Sequence, residues 1–477
     1  MKTKIFLNAF LALILFQGCE KDLQENPRTI LNPQQFLDNP GSFETSVMGI
    51  YSNLPLYVDR THEMITDIYA APDASVEQAL PVYNNQPTPS YYNARDAWNA
   101  PYSMIKNANF ILEYLPEASI SDNLKKTLVG EASFLRAYAL FNLVQLFGDI
   151  PMPLEVHSDY NSLKLPRTPQ AEVYEQIIKD LNVAKANLNP TSAKAGRVNK
   201  FVATGILARV YLTMAGNPLN KTEYYKDALA NALEVINSSN YQLLSDYSKV
   251  FHNLGYTKES IWEKQYVAGR GGNFIHNIAC TADGYKPTLV PSQQFISSFE
   301  IGDNRKEWGI KINFKDGDNK VLERPFFHKF VDTTLIKNSV LPAQAQVSYS
   351  IPLVRLAEMY LIAAEAENAI NGPNNAYEYI NEIRKRARVD KNNAAHVPDL
   401  KSLSKEQFQA AVWKEWDREL YQEGLSWMIM KRTNSFNRIR VQRGSTLTVP
   451  IGAYNQTWLI PIEEITNNNI PQNPLYQ

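Results

Sequence analysis

The chain has 477 residues, with 48 Lys and Arg against 49 Asp and Glu, and its formal net charge is -1. It therefore has no excess of positive charge of the kind that nucleic-acid-binding proteins use, and we expect no nucleic-acid partner. Its 26 Tyr, 20 Phe and 7 Trp suit either wet helix interfaces or exposed platforms on which sugar rings stack.

The first 18 residues predict a lipoprotein signal peptide. Lys2 and Lys4 precede an apolar run over residues 5–16, which is too short to anchor a helix across a bilayer, and Gly18-Cys19 follows. A small residue before Cys suits the signal peptidase, so we expect Cys19 to carry the lipid. An ordinary secretory signal followed by a chance cysteine is the alternative.

Residues 19–42 are polar and contain Pro27, Pro33 and Pro40, which predicts a lipidated N-terminal tether. Residues 43–477 are then expected to form a single domain. Cys280 is the one other cysteine, so no disulfide can form once Cys19 is lipidated. The core must hold the fold, and a chain of this size can supply one.

The first part of the domain alternates between helix and a long loop. A short helix is predicted over residues 43–57, and residues 61–95 are rich in Pro and Tyr with little periodicity. A loop of this length inside a compact protein is usually functional. Trp98, Tyr102 and Ile105 begin the next helix.

Residues 131–147 are apolar on nearly all sides, which predicts a central helix that ends at Gly148. Thr168 is predicted to cap the following helix, with Pro169 in its first turn. Residues 199–214 carry an apolar stripe that predicts a second helix packed against it. Helical hairpins thus recur along the chain.

Residues 241–350 lose the helical stripes and contain scattered Gly and Pro, which predicts a large irregular insertion. Within it, residues 310–314 and 321–324 flank Asp316-Gly317 in the manner of a small β-hairpin. The Asp-Gly-Asp sequence there could suggest calcium, but it lacks the later bidentate Glu and a turn explains it.

After the insertion, residues 351–367 predict a buried helix with Pro352 in its first turn. Gly372-Pro373 ends it, and the next helix places Arg384 and Arg386 on its polar face. This hairpin resembles a tetratricopeptide-like unit, which must stack on others to bury its apolar face. The predicted fold is mainly α, a superhelical scaffold of tetratricopeptide-like hairpins with a loop-rich insertion and minor β-hairpins.

The sequence indicates no catalytic, metal or cofactor site. Its six histidines show no paired spacing typical of zinc ligands, and its many acidic residues give no basis for choosing a catalytic pair. Gly269-Arg-Gly-Gly lacks the Lys and Ser or Thr that a phosphate-binding loop needs.

Several passages resemble the SusD/RagB family. They are Pro-Leu-Val-Arg-Leu-Ala-Glu-Met-Tyr-Leu-Ile-Ala-Ala-Glu-Ala at 352–366, Ile-Arg-Lys-Arg-Ala-Arg at 383–388, Leu-Arg-Ala-Tyr at 135–138, Leu-Phe-Gly-Asp-Ile-Pro at 146–151, and the closing tail at 459–474. The resemblance implies a nutrient-binding lipoprotein on the outer face of the outer membrane of Gram-negative bacteria. Such proteins capture oligosaccharides or, in some members, peptides, and cover a SusC-like TonB-dependent transporter.

A sugar site needs aromatic faces and a few polar partners on exposed loops, and two stretches offer that mixture. The candidate ligand-binding residues are Asp73, Tyr83, Tyr91, Tyr92, Arg95 and Trp98 in the first stretch, Tyr266, Arg270, Asn273, Phe274, His276 and Tyr285 in the second, and Trp308 nearby. Each aromatic could equally be a packing residue. A peptide-binding member of the family, a lipoprotein glycoside hydrolase and a purely structural repeat adaptor are the alternatives to a glycan-binding protein.

Overall fold

The computed structural model describes residues 39–65, 70–72, 92–156, 164–192, 194–253, 255–267, 289–338, 348–438 and 456–474. Within these ranges the chain is mainly helical, as predicted. The helices are α1 (Pro40–Ile65), α2 (Tyr92–Tyr114), α3 (Asp122–Phe147), α4 (Gln170–Asn187), α5 (Lys200–Ala215), α6 (Tyr225–Ile236), α7 (Ser248–Phe251), α8 (Gln293–Ser297), α9 (Asn304–Gly309), α10 (Leu356–Asn371), α11 (Pro373–Ala387), α12 (Lys405–Leu420), α13 (Ser426–Arg432) and α14 (Ile462–Asn467).

The described strands are short and pair two by two. They are β1 (Ala70–Pro72), β2 (Ser260–Lys264), β3 (Leu289–Pro291), β4 (Ile310–Lys311), β5 (Phe314–Lys315), β6 (Val321–Leu322), β7 (Phe326–Phe327) and β8 (Ile351–Arg355). All four pairs are antiparallel: β1 with β3, β2 with β8, β4 with β7, and β5 with β6.

The long helices form one continuous stack. Each of α1 to α5 packs against the next helix along the chain, and α6 packs against α10, which in turn packs against α11 and α12. The residues between α6 and α10 therefore leave the stack uninterrupted. This arrangement confirms the predicted scaffold of tetratricopeptide-like hairpins carrying an insertion.

Helix α3 lies in the middle of the first hairpins, between α2 and α4. It begins where the Ser121 side chain accepts a hydrogen bond from the backbone N–H of Leu124, a common N-cap. It ends at Gly148, whose φ of 74° is open to glycine at little cost. Because neighbours surround it, nearly every residue from Leu128 to Phe147 is buried, as the sequence predicted.

The prediction for residues 351–355 is wrong. They form strand β8, in which Pro352 lies opposite Glu263 of β2, and α10 begins only at Leu356. All five residues of β8 are buried. A short apolar run that is buried on both sides has no periodicity to distinguish strand from helix, and its partner strand lies far away in the sequence.

Several helix starts also differ from the prediction. Helix α2 begins at Tyr92 rather than at Trp98, and α3 begins at Asp122 rather than at residue 131. Helix α1 begins at Pro40 and extends to Ile65, whereas residues 43–57 were expected. Pro169, rather than Thr168, is the N-cap of α4. Thr168 instead forms an antiparallel bridge with Ile150, donating its backbone N–H to the Ile150 carbonyl at 2.8 Å.

The hairpin around Asp316-Gly317 is confirmed. Strands β5 and β6 pair, and Asp316 Oδ1 accepts hydrogen bonds from the backbone N–H groups of Asp318 and Lys320, each at 2.9 Å. The hairpin is longer than expected, because β4 pairs with β7 beyond its base.

Charged side chains form a buried ion network beside the stack. Its cations are Arg305, Lys329, Arg355, Arg384, Arg386 and Arg418, and its anions are Glu259, Glu300, Asp303, Glu415, Glu419 and Glu423. Arg384 and Arg386 were predicted on a polar outer face, but they are only 2% and 6% exposed. The prediction was wrong because the residues that neutralise them lie on other elements, where a helical pattern cannot show them.

The network joins the insertion to the end of the stack. Arg355 contacts Glu259, Glu419 and Glu423, so one guanidinium links the residue before β2 to α12 and the turn after it. Burial alone would raise the pKa of Glu419, but the guanidinium groups of Arg386, Arg355 and Arg305 hold that pKa far below its usual value. Buried ions are stable only when each has a partner of opposite charge. The network meets this condition with six cations and six anions.

Candidate ligand-binding clefts

The largest cleft among the described cavities lies along one face of α2. This helix cleft has a volume of about 660 Å³ and is closed by residues 151–156 and by the C-terminal segment 464–470. Asn99, Tyr102, Lys106 and Phe110 line it. Their spacing of three or four residues puts them on the same side of a helix, so α2 alone supplies one wall.

The wall combines the groups that sugars and other polyhydroxylated ligands need. Tyr102 and Phe110 are half-buried and offer apolar ring surface, whereas Asn99 and Lys106 are exposed and offer hydrogen bonds. Glu155 and Glu464 add carboxylates on the other walls. Such a mixture of ring faces and a few polar groups is typical of a binding cleft.

Tyr102 is fixed in place by its hydroxyl, which donates a hydrogen bond to the Pro151 carbonyl at 2.7 Å. Burial, with a further contribution from Glu464, raises the pKa of Tyr102 well above its usual value. The phenol therefore stays neutral, and its ring is held against the segment that forms the opposite wall.

A chain of buried polar contacts supports that wall from behind. Asn109 donates from Nδ2 to the Pro153 carbonyl at 3.0 Å and accepts at Oδ1 from Arg136 at 2.9 Å. Arg136 in turn donates to both carboxylate oxygens of Asp180 at 2.7 Å. We call Asp180, Arg136 and Asn109 the support relay, because it connects α4, α3 and α2 to residues 153–155.

A second cleft of about 510 Å³, the tail cleft, adjoins the first. It is lined by Asp149, by residues 164–167 and by residues 468–471. Both clefts share Leu165, Asn468 and Ile470 in their walls. Together they form an elongated groove beside the C-terminal segment.

Two other described cavities suit a ligand less well. A cavity of about 250 Å³ between α3 and residues 188–198 is lined mostly by polar side chains, including the Glu131–Arg197 ion pair, and has no aromatic residue among its described lining. A cavity of about 60 Å³ between α3, α5 and α13 has room for a few water molecules.

Of the predicted candidates that the structure describes, only Trp98 lines the helix cleft. It is 2% exposed and its ring lies 5.0 Å from that of Tyr102 and 4.9 Å from that of Phe147, measured between centroids. These contacts make it a packing residue. Whether it also touches a ligand stays a prediction.

The other described candidates lie elsewhere. Arg95 has a side chain that is 48% exposed and lies 4.0 Å from the Asp96 carboxylate and 3.9 Å from that of Glu463. Tyr266 has its ring 4.3 Å from Lys264 Nζ. Trp308 packs in an aromatic cluster with Tyr247, Phe251, His252 and His328.

The remaining candidates fall outside the described residues. They are Cys19, Asp73, Tyr83, Tyr91, Arg270, Asn273, Phe274, His276 and Tyr285. Tyr92 is the first residue of α2, but its side chain is not among those described.

The sequence did not single out three residues of the cleft wall on α2. Asn99, Lys106 and Phe110 follow the helical period of α2, and that period was the available signal. Asn468 and Leu165 lie in segments without regular structure, so only the folded chain brings them to α2.

The described residues contain neither a metal site nor a membrane-spanning helix. In those ranges no group of His, Cys, Asp and Glu side chains could hold a metal ion. The helices there also include none with the length and apolar character needed to cross a membrane.

Two family models match the chain. One, described as starch-binding and associating with the outer membrane, matches residues 20–212, and the SusD family model matches residues 323–476. The two matched stretches together take up most of the chain. Residues 213–322, which lie between them, include most of the insertion described above.

Similar proteins cover most of the chain as well. "SusD-like protein P2" of Formosa agariphila is 25% identical and spans 98% of this chain and 99% of its own. "Starch-binding protein SusD" of Bacteroides thetaiotaomicron is 25% identical over 78% of this chain and 77% of its own. A solved "Laminarin binding SusD-like protein" has a TM-score of 0.72 and 21% identity, and the match covers 92% of this chain and 99% of that one.

The structural match shows the shared fold, and the family models and relatives show the shared sequence. The helical stack, the two matched stretches and these relatives agree. The chain belongs to the SusD/RagB family.

Proposed function

We propose that this chain is a lipid-anchored protein of the outer membrane that binds an oligosaccharide in the helix cleft. The protein then delivers its ligand to a SusC-like TonB-dependent transporter. The observation that carries the proposal is the wall of α2, where Tyr102 and Phe110 offer ring surface beside Asn99 and Lys106. The starch-binding and laminarin-binding names of similar proteins support a glycan as the ligand.

Direct binding tests the ligand class. We expect a calorimetric titration against a panel of plant, host and microbial oligosaccharides to give heat with at least one glycan and none with a peptide library. Binding to peptides alone would replace the glycan by a peptide as the ligand. Prolonged incubation followed by chromatography tests the hydrolase alternative, and we expect the bound oligosaccharide to remain intact.

Phe110→Ala tests the site. Phe110 lies in the cleft wall with its ring 4.8 Å from that of Tyr114, which is also half-buried but does not line the cleft. We expect Phe110→Ala to weaken oligosaccharide binding by about 1–3 kcal/mol. Tyr114→Ala is the matched control and should leave the affinity unchanged. Equal affinity in both folded variants would remove the helix cleft from the binding site.

The anchor is tested through Cys19. We expect Cys19→Ala to abolish incorporation of a labelled fatty acid, because this thiol is the acyl acceptor of the proposed signal. The variant should remain folded, since the residue lies in the proposed tether. Label that persists in the mutant would show that the lipoprotein interpretation is wrong.

The transporter is tested by co-purification. The tagged chain, extracted from outer membranes in mild detergent, should bring down a TonB-dependent barrel identified by mass spectrometry. Recovery of the chain without any barrel, under conditions that keep a known complex of this kind intact, would contradict the delivery step.

A further inference from the structure

The groove formed by the two clefts carries charges of both signs. Its cations are Lys106, Lys164 and Arg167, and its anions are Asp149, Glu155 and Glu464. Two of the carboxylates already accept hydrogen bonds from the protein: Glu464 Oε2 from Asn468 Nδ2 at 2.5 Å, and Asp149 Oδ1 from the backbone N–H of Gln170 at 2.9 Å. One of the cations, Arg167, has most of its hydrogen-bond donors unused within the part of the chain that the structure describes.

Arg167 lines the tail cleft and is half-buried. Its Nε donates to the backbone carbonyl of Asp149 at 2.8 Å. Neither Nη group has a hydrogen-bond or ion-pair partner anywhere in the described chain. Since a guanidinium has five N–H donors, most of its binding capacity remains unused.

The pKa of Arg167 reflects this isolation. Burial lowers it from the usual value, and the opposing effects of Asp149 and Tyr102 do not restore it. The other arginines with a resolved shift have the pKa raised despite burial, because carboxylates lie against them. They are Arg197, Arg209, Arg305, Arg355, Arg384, Arg386 and Arg432.

Arg167 also lies close to the junction of the two clefts. Its charge acts on the Tyr102 hydroxyl, which belongs to the helix cleft, and the adjacent residue pair Leu165 and Pro166 continues the same wall. A ligand lying along α2 and extending past Leu165 would therefore bring a substituent to this guanidinium.

We propose that Arg167 forms a subsite for an anionic group, a carboxylate or a sulfate ester, on an oligosaccharide that occupies both clefts. This inference rests on the proposed function and adds the chemical class of the ligand. The two Nη groups can hold two oxygens of one such group side by side, which is the preferred geometry of guanidinium with carboxylate and sulfate-like oxyanions. The anion would supply the counter-charge that Arg167 lacks.

The experiment compares pairs of oligosaccharides of the same length. One arm pairs a uronate-containing oligosaccharide with its carboxyl-reduced form, and the other arm pairs a sulfated oligosaccharide with its desulfated form. We expect the wild-type protein to bind the acidic member of at least one pair about tenfold more tightly or better. The arm in which this occurs identifies the anion. The preference should shrink in 1 M NaCl, because a half-exposed ion pair is screened.

Arg167→Gln should remove the preference while keeping the affinity for the neutral member, and Arg167→Lys should restore part of it. Lys126→Gln is the matched control, since it removes the same charge from an exposed site on α3 outside both clefts. Melting temperatures measured on the same samples separate lost binding from lost folding. If Arg167→Gln does not fold, Arg167→Lys decides, because it keeps the charge but loses the two parallel bonds, and an undiminished preference in this variant would overturn the inference.

The outcomes separate this inference from the proposed function. Equal wild-type affinity for both members of each pair would overturn the inference and leave glycan binding intact. A preference that persists in folded Arg167→Gln would also overturn it, because the anion would then bind elsewhere. Failure of every oligosaccharide to bind would overturn both.

Discussion

At the scale of single residues, burial changes the chemistry of side chains in ways that the sequence does not display. Glu263 in β2 is 3% exposed, accepts a hydrogen bond from Ser260 at Oε1, and has no partner at Oε2 within the described chain. Burial raises the pKa of Glu263 to about 7. A carboxyl group in this position is more stable with its proton than without it.

Glu263 therefore makes the folding stability depend on pH. Its pKa in the folded state, about 7, lies above the usual value of 4.5, so the folded protein holds this proton more tightly than the unfolded chain does. The stabilisation of the folded protein by this bound proton is complete below pH 4.5 and is lost as the pH rises through about 7. We expect Glu263→Gln to be more stable than the wild type at pH 8, on the order of 2–3 kcal/mol, with little difference near pH 4.5. Thermal melts of both proteins across this pH range measure the difference in stability.

Glu234→Gln is the control with the opposite sign. Hydrogen bonds from Lys185 and Lys200 outweigh burial and lower the pKa of Glu234, so its contribution is present above pH 4.5 and is lost as the pH falls. Glu234→Gln should lower the stability of the folded protein slightly at pH 8. A Glu263→Gln variant that is no more stable than the wild type at pH 8 would contradict the protonated state.

At the scale of elements, the support relay connects three helices to one wall of the helix cleft. Arg136 and Arg209 offer a matched pair of buried arginines, since each donates through Nε and Nη2 to both oxygens of one carboxylate, Asp180 or Glu358. Their side chains are 11% and 13% exposed. Arg136 alone of the two contacts Asn109, which holds residues 153 and 155.

We expect Arg136→Lys and Arg209→Lys to lower stability by similar amounts, about 1–3 kcal/mol, because lysine cannot keep the two parallel bonds. Arg136→Lys alone should also weaken oligosaccharide binding. Denaturant unfolding and calorimetric titration on the same samples measure the two effects. Equal affinity in both folded variants would show that the relay stabilises the stack without positioning the cleft wall.

The sequence predicted elements well where a pattern repeats locally. The apolar residues of α3 and α5 and the turn at Asp316 contain their own signals in spacing and in turn-forming residues. Strand β8 was missed because its only distinguishing feature is the pairing with β2 across the insertion. Of the helix cleft, the prediction found Trp98 in the α2 wall, but it missed the other walls, because α2, Leu165 and Asn468 meet only after folding.

At the scale of the whole molecule, the buried ion network joins the insertion, α11 and α12. Glu419 lies among Arg305, Arg355 and Arg386 and is fully buried. Removing this charge leaves three buried guanidinium groups with one counter-charge fewer, which costs more than the original ion pairs contribute.

Glu419→Gln should therefore destabilise the folded protein by about 3–5 kcal/mol. The control is Glu382→Gln, which breaks an exposed ion pair with Lys385 in which both side chains are 49% exposed, and it should cost about 0.5 kcal/mol or less. Unfolding in urea, followed by circular dichroism and by tryptophan fluorescence, measures both. Similar midpoints for the two variants would show that the network contributes no more than a surface pair.

The order of the network along the chain has a consequence for biosynthesis. Its last three carboxylates, Glu415, Glu419 and Glu423, are translated after Arg305, Arg355, Arg384 and Arg386. Until those carboxylates emerge, we expect the guanidinium groups to have too few counter-charges to leave water, so the insertion cannot pack against α11 and α12. We therefore expect this part of the fold to form only when synthesis is nearly complete. For a chain exported as proposed above, we expect this delay to keep that part of the chain unfolded during passage through the secretion channel.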